Sequence, residues 1–287
     1  MLGIVIPLSR FGASIVLNGT GILLAYLKKY LKFPTGTLAA FLVGFILFIF
    51  NPFAWLLLLV FFISSSLLTK FKAHLKLVVR DKFEKGGERD AAQVFANSLP
   101  TVFYVILHAF FSKSDPLSPL FIAVATYFAS VNADTFSTEI GILTKSPPRL
   151  ILDPRRTVEK GTSGGVTLLG SFAGVLGSLE IALLHIIGLY LVTGSSKSPF
   201  DIGMAFGTVF IGGNLGNIID SLLGGSVQGF YFCPSCQIGT EKRLHVKCGG
   251  TKTRFVRGWK VISNDWVNLL SATSASLITG AIYSYLI

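Results

Sequence analysis

The chain has 287 residues, 51% of them hydrophobic, a formal net charge of +11 and a mean hydropathy of +0.66. Apolar runs near 20 residues long, with little polar alternation, exclude a soluble globular domain and describe an all-α polytopic membrane bundle. Arg10 is the one early cation and no small-residue cleavage site follows it, so the N-terminal stretch reads as a retained helix and residues 1–287 as a single membrane domain.

Candidate spans fall at roughly 3–27, 35–50, 52–69, 97–112, 118–133, 166–193, 201–224 and 266–286. This gives about eight spans, with six to eight admissible. Four alternate loops (28–32, 70–89, 145–160 and 242–260) hold 22 of the 25 Lys and Arg residues, leaving Arg10, Lys113 and Lys197 for the opposite side. The positive-inside rule then places those loops in the cytoplasm and both termini outside. Membrane orientation thus accounts for the basic charge without nucleic acid, and it turns that charge toward nucleotides and anionic headgroups.

The first three spans carry few polar side chains and read as scaffold, with turns at Phe33-Pro34-Thr35-Gly36 and Asn51-Pro52. Beyond a mixed-charge segment, Arg89, Gln93 and Asn97 are spaced to share one helical face. Such a stripe could hold a phosphate or a nucleotide edge, or form an interhelical hydrogen-bond seam with a snorkelling Arg.

The densest polar motif runs from Asn132 through Asp134, Thr138 and Glu139 to Gly141. On one unbroken helix, Asp134 and Glu139 would point about 140° apart. They could share an ion only if the helix broke or another segment supplied a ligand, for which Asp220 is the obvious choice. Hard oxygen ligands of this kind suit Mg2+, while the bland alternative is a helix cap with paired surface charges. Pro147, Pro148 and Pro154 keep the next loop out of helix, and Lys145, Arg149, Arg155, Arg156 and Lys160 make it cationic. Gly161-Thr162-Ser163-Gly164-Gly165 is then expected to open the sixth span and to aim backbone N–H groups at an anion, although it lacks a Walker ending.

The sixth span carries Glu180 and His185 within its apolar run, and Glu180, toward the outer half, reads as a packed, neutral or paired group outside the site. Asn214, Asn217, Asp220 and Ser221 form a polar stripe on the seventh, too costly to face lipid. Residues 229–262 form a cytoplasmic insertion in which Cys233, Cys236, His245 and Cys248 match a Cys3His structural Zn2+ knuckle, a disulfide being less expected there. Asn264, Asp265 and Asn268 open the last span, Asp265 as a fourth acidic ligand or as a favourable helix N-terminal charge.

Several segments together resemble the integral-membrane group (domain-of-unknown-function family 92) that includes plant phytyl-phosphate kinase. They are Gly87-x-Arg89 with Gln93-Val94-x-x-Asn97, Ala133-Asp134-Thr135 with Glu139-Ile140-Gly141, and Pro148-Arg149. Further matches are Gly161-Thr162-x-Gly164-Gly165-Val166, Asp220-x-x-x-Gly224 with Gln228, and Asn264-Asp265 with Val267-Asn268. The Cys/His loop looks more like that of prokaryotic, especially archaeal, members. The resemblance implies transfer of a phosphoryl group from CTP or ATP to a phytyl or geranylgeranyl type monophosphate, at the cytoplasmic face of a prokaryotic plasma membrane. Mg2+ would sit on Asp134, Glu139, Asp220 and Asp265, with Arg89, Gln93, Asn97, Asn132, Arg149, Lys160, residues 161–165, Asn217, Asn264 and Asn268 around the phosphates and nucleotide. The competing readings are an isoprenol kinase or lipid nucleotidyltransferase built from the same parts, and a small-anion transporter.

Overall fold

A computed structural model describes residues 7–112, 115–193 and 197–286. The start of the first expected span and Lys113 lie outside the described residues. The helices are α1 (Leu8–Leu27), α2 (Thr35–Phe50), α3 (Pro52–Lys70), α4 (Ala73–Arg80), α5 (Ala91–Ala96), α6 (Leu99–Phe111), α7 (Pro119–Gly141), α8 (Leu168–Thr193), α9 (Pro199–Ser226) and α10 (Asn264–Leu286). By length and composition α1, α3, α8, α9 and α10 can each cross a membrane, and α2 and α6 are shorter apolar helices. With α7 they correspond to the eight expected segments.

Local sequence explains where several of these helices begin. Asn51, Ser118 and Ser198 each precede a proline and cap the following helix, with side-chain oxygens accepting from Phe53 N at 3.0 Å, Phe121 N at 3.2 Å and Asp201 N at 3.1 Å. Proline at the first helical position loses nothing, because that N–H has no partner in the helix.

The bundle is organised around α7, which packs against α3, α6, α8, α9 and α10. Every residue from Phe121 to Ala133 is buried, and so the first half of α7 can be apolar on all sides. Its neighbours approach on small residues. A Cβ on Gly177 of α8 would stand 2.9 Å from Asn132 O, and one on Gly213 of α9 would stand 2.7 Å from the Ala129 Cβ. Where lipid removes the hydrophobic drive for association, this closeness is how helices gain contact.

Three expectations are corrected. The fifth span does not end near residue 133, because α7 continues to Gly141 and carries the whole acidic motif on one unbroken helix. Arg89 and Asn97 flank the six-residue α5 instead of sharing its face with Gln93; Asp90, bonded to Gln93 N at 3.0 Å, starts that helix after Arg89. Residues 161–165 do not open α8. Gly161 and Gly164 take left-handed φ values of +81° and +79°, and a short strand intervenes before Leu168. The loops carry short strands: β1 (Arg149–Leu150), β2 (Asp153–Thr157) and β3 (Gly165–Val166) form one small sheet in the order β2-β1-β3. In the insertion, β4 (Phe230–Cys233) pairs with β5 (Ile238–Thr240) and β8 (Arg254–Arg257), and β6 (Leu244–His245) pairs with β7 (Thr251–Lys252).

The four basic loops meet at one end of the bundle. Lys32 N donates to Arg89 O at 2.9 Å, Glu241 N to Lys82 O at 2.9 Å, Lys82 pairs with Glu159 at 2.6 Å, and Arg257 donates to Ser163 O at 2.8 Å.

The α7–α9 approach is testable. A Cβ on Gly216 would fall 1.8 Å from Ser130 Oγ, whereas one on Gly207 meets nothing within 4 Å. Gly216→Ala is expected to cost about 1–3 kcal/mol through overpacking. A lowered thermal midpoint in detergent, with Gly207→Ala unaffected, is the expected result, and equal midpoints would contradict the close packing.

Candidate functional site

A cleft of about 270 Å3 opens where the loops converge, lined by motifs that the sequence singles out: Arg89, Gln93, Asn97, Asp134, Glu139, Lys160, residues 161–165, Asn217, Asp220, Asn264, Asp265 and Asn268. At its floor α7 and α9 bring Asp134 and Asp220 within hydrogen-bonding reach of each other. Asp220 Oδ2 accepts from Ser271 Oγ at 3.0 Å. Asn268 lies 3.1 Å from the same oxygen and 3.2 Å from Asn97, its amide nitrogen donating to Asp220 when oriented to satisfy both neighbours. Asn217, one turn before Asp220, reaches Ser137 Oγ at 3.4 Å.

Glu139 and Asp265 do not join this pair. Glu139 accepts from Thr69 Oγ1 at 2.8 Å and pairs with the fully buried Lys76 at 2.7 Å. Its position on the same helix as Asp134 but on a different face explains the separation. Asp265, in the first turn of α10, pairs with Lys85, which also holds Asp90 at 2.9 Å. Burial opposes the Lys85 charge, but its bonds to Asp265 and Asp90 outweigh that and raise its pKa. Two other expected residues are outside the cleft. Asn132 is fully buried deeper in the bundle, donating to Gly177 O at 2.9 Å and to Glu180 Oε2 at 2.8 Å, which also accounts for Glu180. Arg149 is exposed on β1 and donates to Pro154 O at 2.7 Å.

Above the carboxylate pair, the strained turn at Gly161–Gly165 presses on α9. A Cβ on Gly164 would lie 2.3 Å from Gly225 Cα, so this position needs glycine for space as well as for φ. Lys160 at its start bonds Thr144 O. Arg89 donates to Ser66 Oγ at 2.7 Å and Ser65 Oγ at 2.9 Å and lies over Phe62, and burial pulls its pKa down to about 10. No carboxylate forms an ion pair with it among the described residues.

The sequence reading missed Glu241, Lys76 and Lys85. Glu241, a buried residue of the insertion, accepts from Ser163 Oγ at 2.9 Å, Gln228 Nε2 at 2.8 Å and Glu84 N at 3.3 Å, and burial raises its pKa. One signal was available: it is the lone acid between residues 229 and 262. Lys76 lies on a short amphipathic helix whose pattern does not distinguish it from its exposed neighbours.

In the insertion, one ligand atom each from Cys233, Cys236, His245 and Cys248 lies within 4.8 Å of the others. His245 Nδ1 faces Cys236 Sγ at 3.0 Å and Cys248 Sγ at 3.2 Å, while its Nε2 is held by Asp81 Oδ2 at 2.9 Å. The sulfurs of Cys236 and Cys248 touch, yet their Cα atoms are 7.0 Å apart, beyond the usual disulfide span. Three thiols around an imidazole whose far nitrogen is oriented by a carboxylate fit a tetrahedral Zn2+ site.

The profile of the family described as "Integral membrane protein DUF92" matches residues 16–276. Among curated proteins, "Protein PGR" of Arabidopsis thaliana is 30% identical over 291 residues, covering 98% of each chain. "Uncharacterized membrane protein MJ0933" of Methanocaldococcus jannaschii is 37% identical over 192 residues, covering 66% of this chain and 71% of its own. No solved structure matches.

Two carboxylates held together at a cleft floor oppose folding, so neutralising one should stabilise the protein while damaging the site. Asp220→Asn is expected to raise the thermal midpoint in metal-free buffer, by a gain of about 0.5–2 kcal/mol. It should also abolish any stabilisation by added Mg2+. A lower midpoint without metal would show that the pair is a structural contact.

Proposed function

The chain belongs to the integral membrane protein DUF92 family, and from that premise we propose that it is a membrane kinase transferring a phosphoryl group from CTP or ATP to an isoprenoid monophosphate. The observation that carries the reading is the pairing of Asp134 with Asp220 opposite Lys160, Arg89 and the Gly161–Gly165 turn, in one cleft at the end of the bundle. Carboxylates facing cations and backbone N–H groups across such a space are what a phosphate-bound divalent cation requires.

Asp134 and Asp220 are the residues that would hold Mg2+, with Asn217 and Asn268 beside them. When bound, Mg2+ neutralises charge on the transferring phosphates. Lys160 and the turn would receive the nucleoside triphosphate, while Arg89, Gln93 and Asn97 orient the acceptor monophosphate. An acceptor phosphate oxygen forms the new bond to the γ-phosphorus as the β–γ bridging bond breaks, leaving a nucleoside diphosphate and a lipid diphosphate. That nucleophile is ionised at neutral pH, so positioning and charge compensation carry the reaction and no strong base is needed. The basic loops favour a cleft facing the cytoplasm across a prokaryotic plasma membrane, and grouping of the polar residues at one end favours catalysis over transport.

Zn2+ on Cys233, Cys236, His245 and Cys248 would have a structural role, since all four positions are filled by protein ligands. It would fix the loop that carries Glu241.

The kinase reading is tested with purified protein, Mg2+, γ-labelled ATP or CTP and geranylgeranyl phosphate, separated by thin-layer chromatography. Label should appear in the diphosphate and fall about 100-fold or more with Asp134→Asn or Asp220→Asn, the scale of losing a transition-state electrostatic group. Nucleotide binding without transfer to any prenyl phosphate would sink it in favour of nucleotidyl transfer. Metal analysis tests the knuckle independently: bound zinc should be lost in Cys233→Ser with Cys248→Ser, and Asp81→Asn should weaken zinc affinity about 10–100-fold. Unchanged zinc content in the double variant would rule the site out.

A further inference from the structure

Beside the polar cleft lies a second chamber of about 460 Å3 between α1, α2 and α3, open along part of its length. Its walls are aliphatic and aromatic side chains, among them Leu24, Val43, Leu58 and Phe62. Arg89, Gln93 and Asn97 line both chambers. The neck between them is therefore polar and cationic, and the chamber beyond it apolar. From Ser66 at the neck the wall on α3 descends to Trp55, a depth of about 16 Å at helical rise. The buried Asn18 and the half-buried Trp55 close the deep end. Asn18 Oδ1 accepts from Trp55 Nε1 at 3.0 Å, and Asn18 Nδ2 donates to Ser14 O at 2.9 Å. A Cβ on Gly44 would collide with Asn18 Oδ1 at 2.2 Å, so α1 and α2 meet there without space to spare.

We propose that this chamber seats the hydrocarbon chain of a single-chain lipid monophosphate, with its phosphate at Arg89, Gln93 and Asn97, and that the Asn18–Trp55 pair limits the chain length accepted. The inference rests on the kinase reading for the acceptor's identity and adds the place and length limit of its tail. Continuity with the polar cleft selects this occupant. A chain lying here delivers its head to the carboxylate pair, which a bilayer lipid resting on the outer face of α1 would not. Arg89 supplies the second argument, because its guanidinium bonds hydroxyls and lies over a ring at the neck, and among the described residues no carboxylate forms an ion pair with it, Glu139 acting on it only at longer range. A half-buried cation in that state favours an incoming anion. The volume falls within the range of pockets that enclose small-molecule ligands.

The test uses the full chain in detergent and farnesyl monophosphate carrying a diazirine at its terminal isoprene. After irradiation and peptide mapping, label is expected within residues 17–25 and 55–67. Excess geranylgeranyl phosphate should displace it, and inorganic phosphate and phosphatidic acid should not. Gly21 lines the chamber, and a Cβ added there meets no neighbouring atom within 4 Å. Gly21→Phe should therefore leave the thermal midpoint unchanged and lower labelling about tenfold, the loss for returning about two buried methylenes to water. Trp55→Ala should shift preference toward chains longer than geranylgeranyl. Label concentrated on α8 or α9, labelling indifferent to Gly21→Phe, or equal displacement by phosphatidic acid would overturn the assignment. Labelling needs no turnover, so labelling of the chamber without diphosphate formation would refute the kinase and keep the tail site. Diphosphate formation with label elsewhere would do the reverse.

Discussion

The site depends on how closely α7 is approached by α8 and α9. Gly174 and Gly177 on one neighbour and Gly213 and Gly216 on the other leave no room for side chains against Ala129, Ser130 and Ala133. Backbone-to-backbone packing of this kind replaces the hydrophobic drive that helices lack in lipid. It also fixes the separation of the polar residues one to two turns further along. Asp134 and Asp220 sit just past the packed stretch, so the packing that holds the bundle together sets the gap between the two carboxylates. Residues one turn away on either helix meet other partners, as Glu139 does with Lys76 and Asn217 with Ser137.

The insertion between α9 and α10 is a wall of the cleft rather than an appendage. Arg257 donates to Gly224 O at 3.1 Å and to Ser163 O at 2.8 Å, fastening the end of α9 to the glycine turn. Glu241 grips the same turn through Ser163 and the same helix end through Gln228. The Cys/His cluster stands at the other edge of this clamp, joined through His245 and Asp81 to the 70–90 segment. Whatever orders the four Cys and His side chains therefore also orders the position of Glu241. A structural metal far from the reacting atoms can act on a site in this way, through the loop it holds.

Much of this was legible in the chain because it follows from short-range rules. Span positions, the clustering of basic loops and the reach of Asp220 toward Asp134 rest on hydropathy, charge placement and helical period. What the sequence could not supply were contacts between segments far apart. Glu139 looks like a second metal ligand until Lys76, 63 residues away, claims it, and Asp265 until Lys85 does. Asn132 carries the same polar character as the cleft residues, but lies nearly two turns below Glu139 and is taken by Glu180. The Gly161–Gly165 turn was misplaced for a local reason: glycine-rich stretches that precede an apolar run look alike whether they open a helix or a strand. Its two left-handed residues and the strand that follows make it a loop apposed to α9.

The most informative departure from regularity is the break between α5 and α6. A continuous helix through residues 89–97 would have put Arg89, Gln93 and Asn97 in a straight row, and a row serves one chamber. Instead Asp90 caps a six-residue helix, Pro100 fits the first turn of the next, and Tyr127 OH of α7 donates to Ala96 O at 2.5 Å at the junction. The break leaves α6 with only 13 residues. Arg89, Gln93 and Asn97 then ring an opening with apolar walls on one side and the carboxylate pair on the other. An amphiphilic phosphate is the kind of molecule such an opening fits, since neither chamber alone would satisfy both its ends.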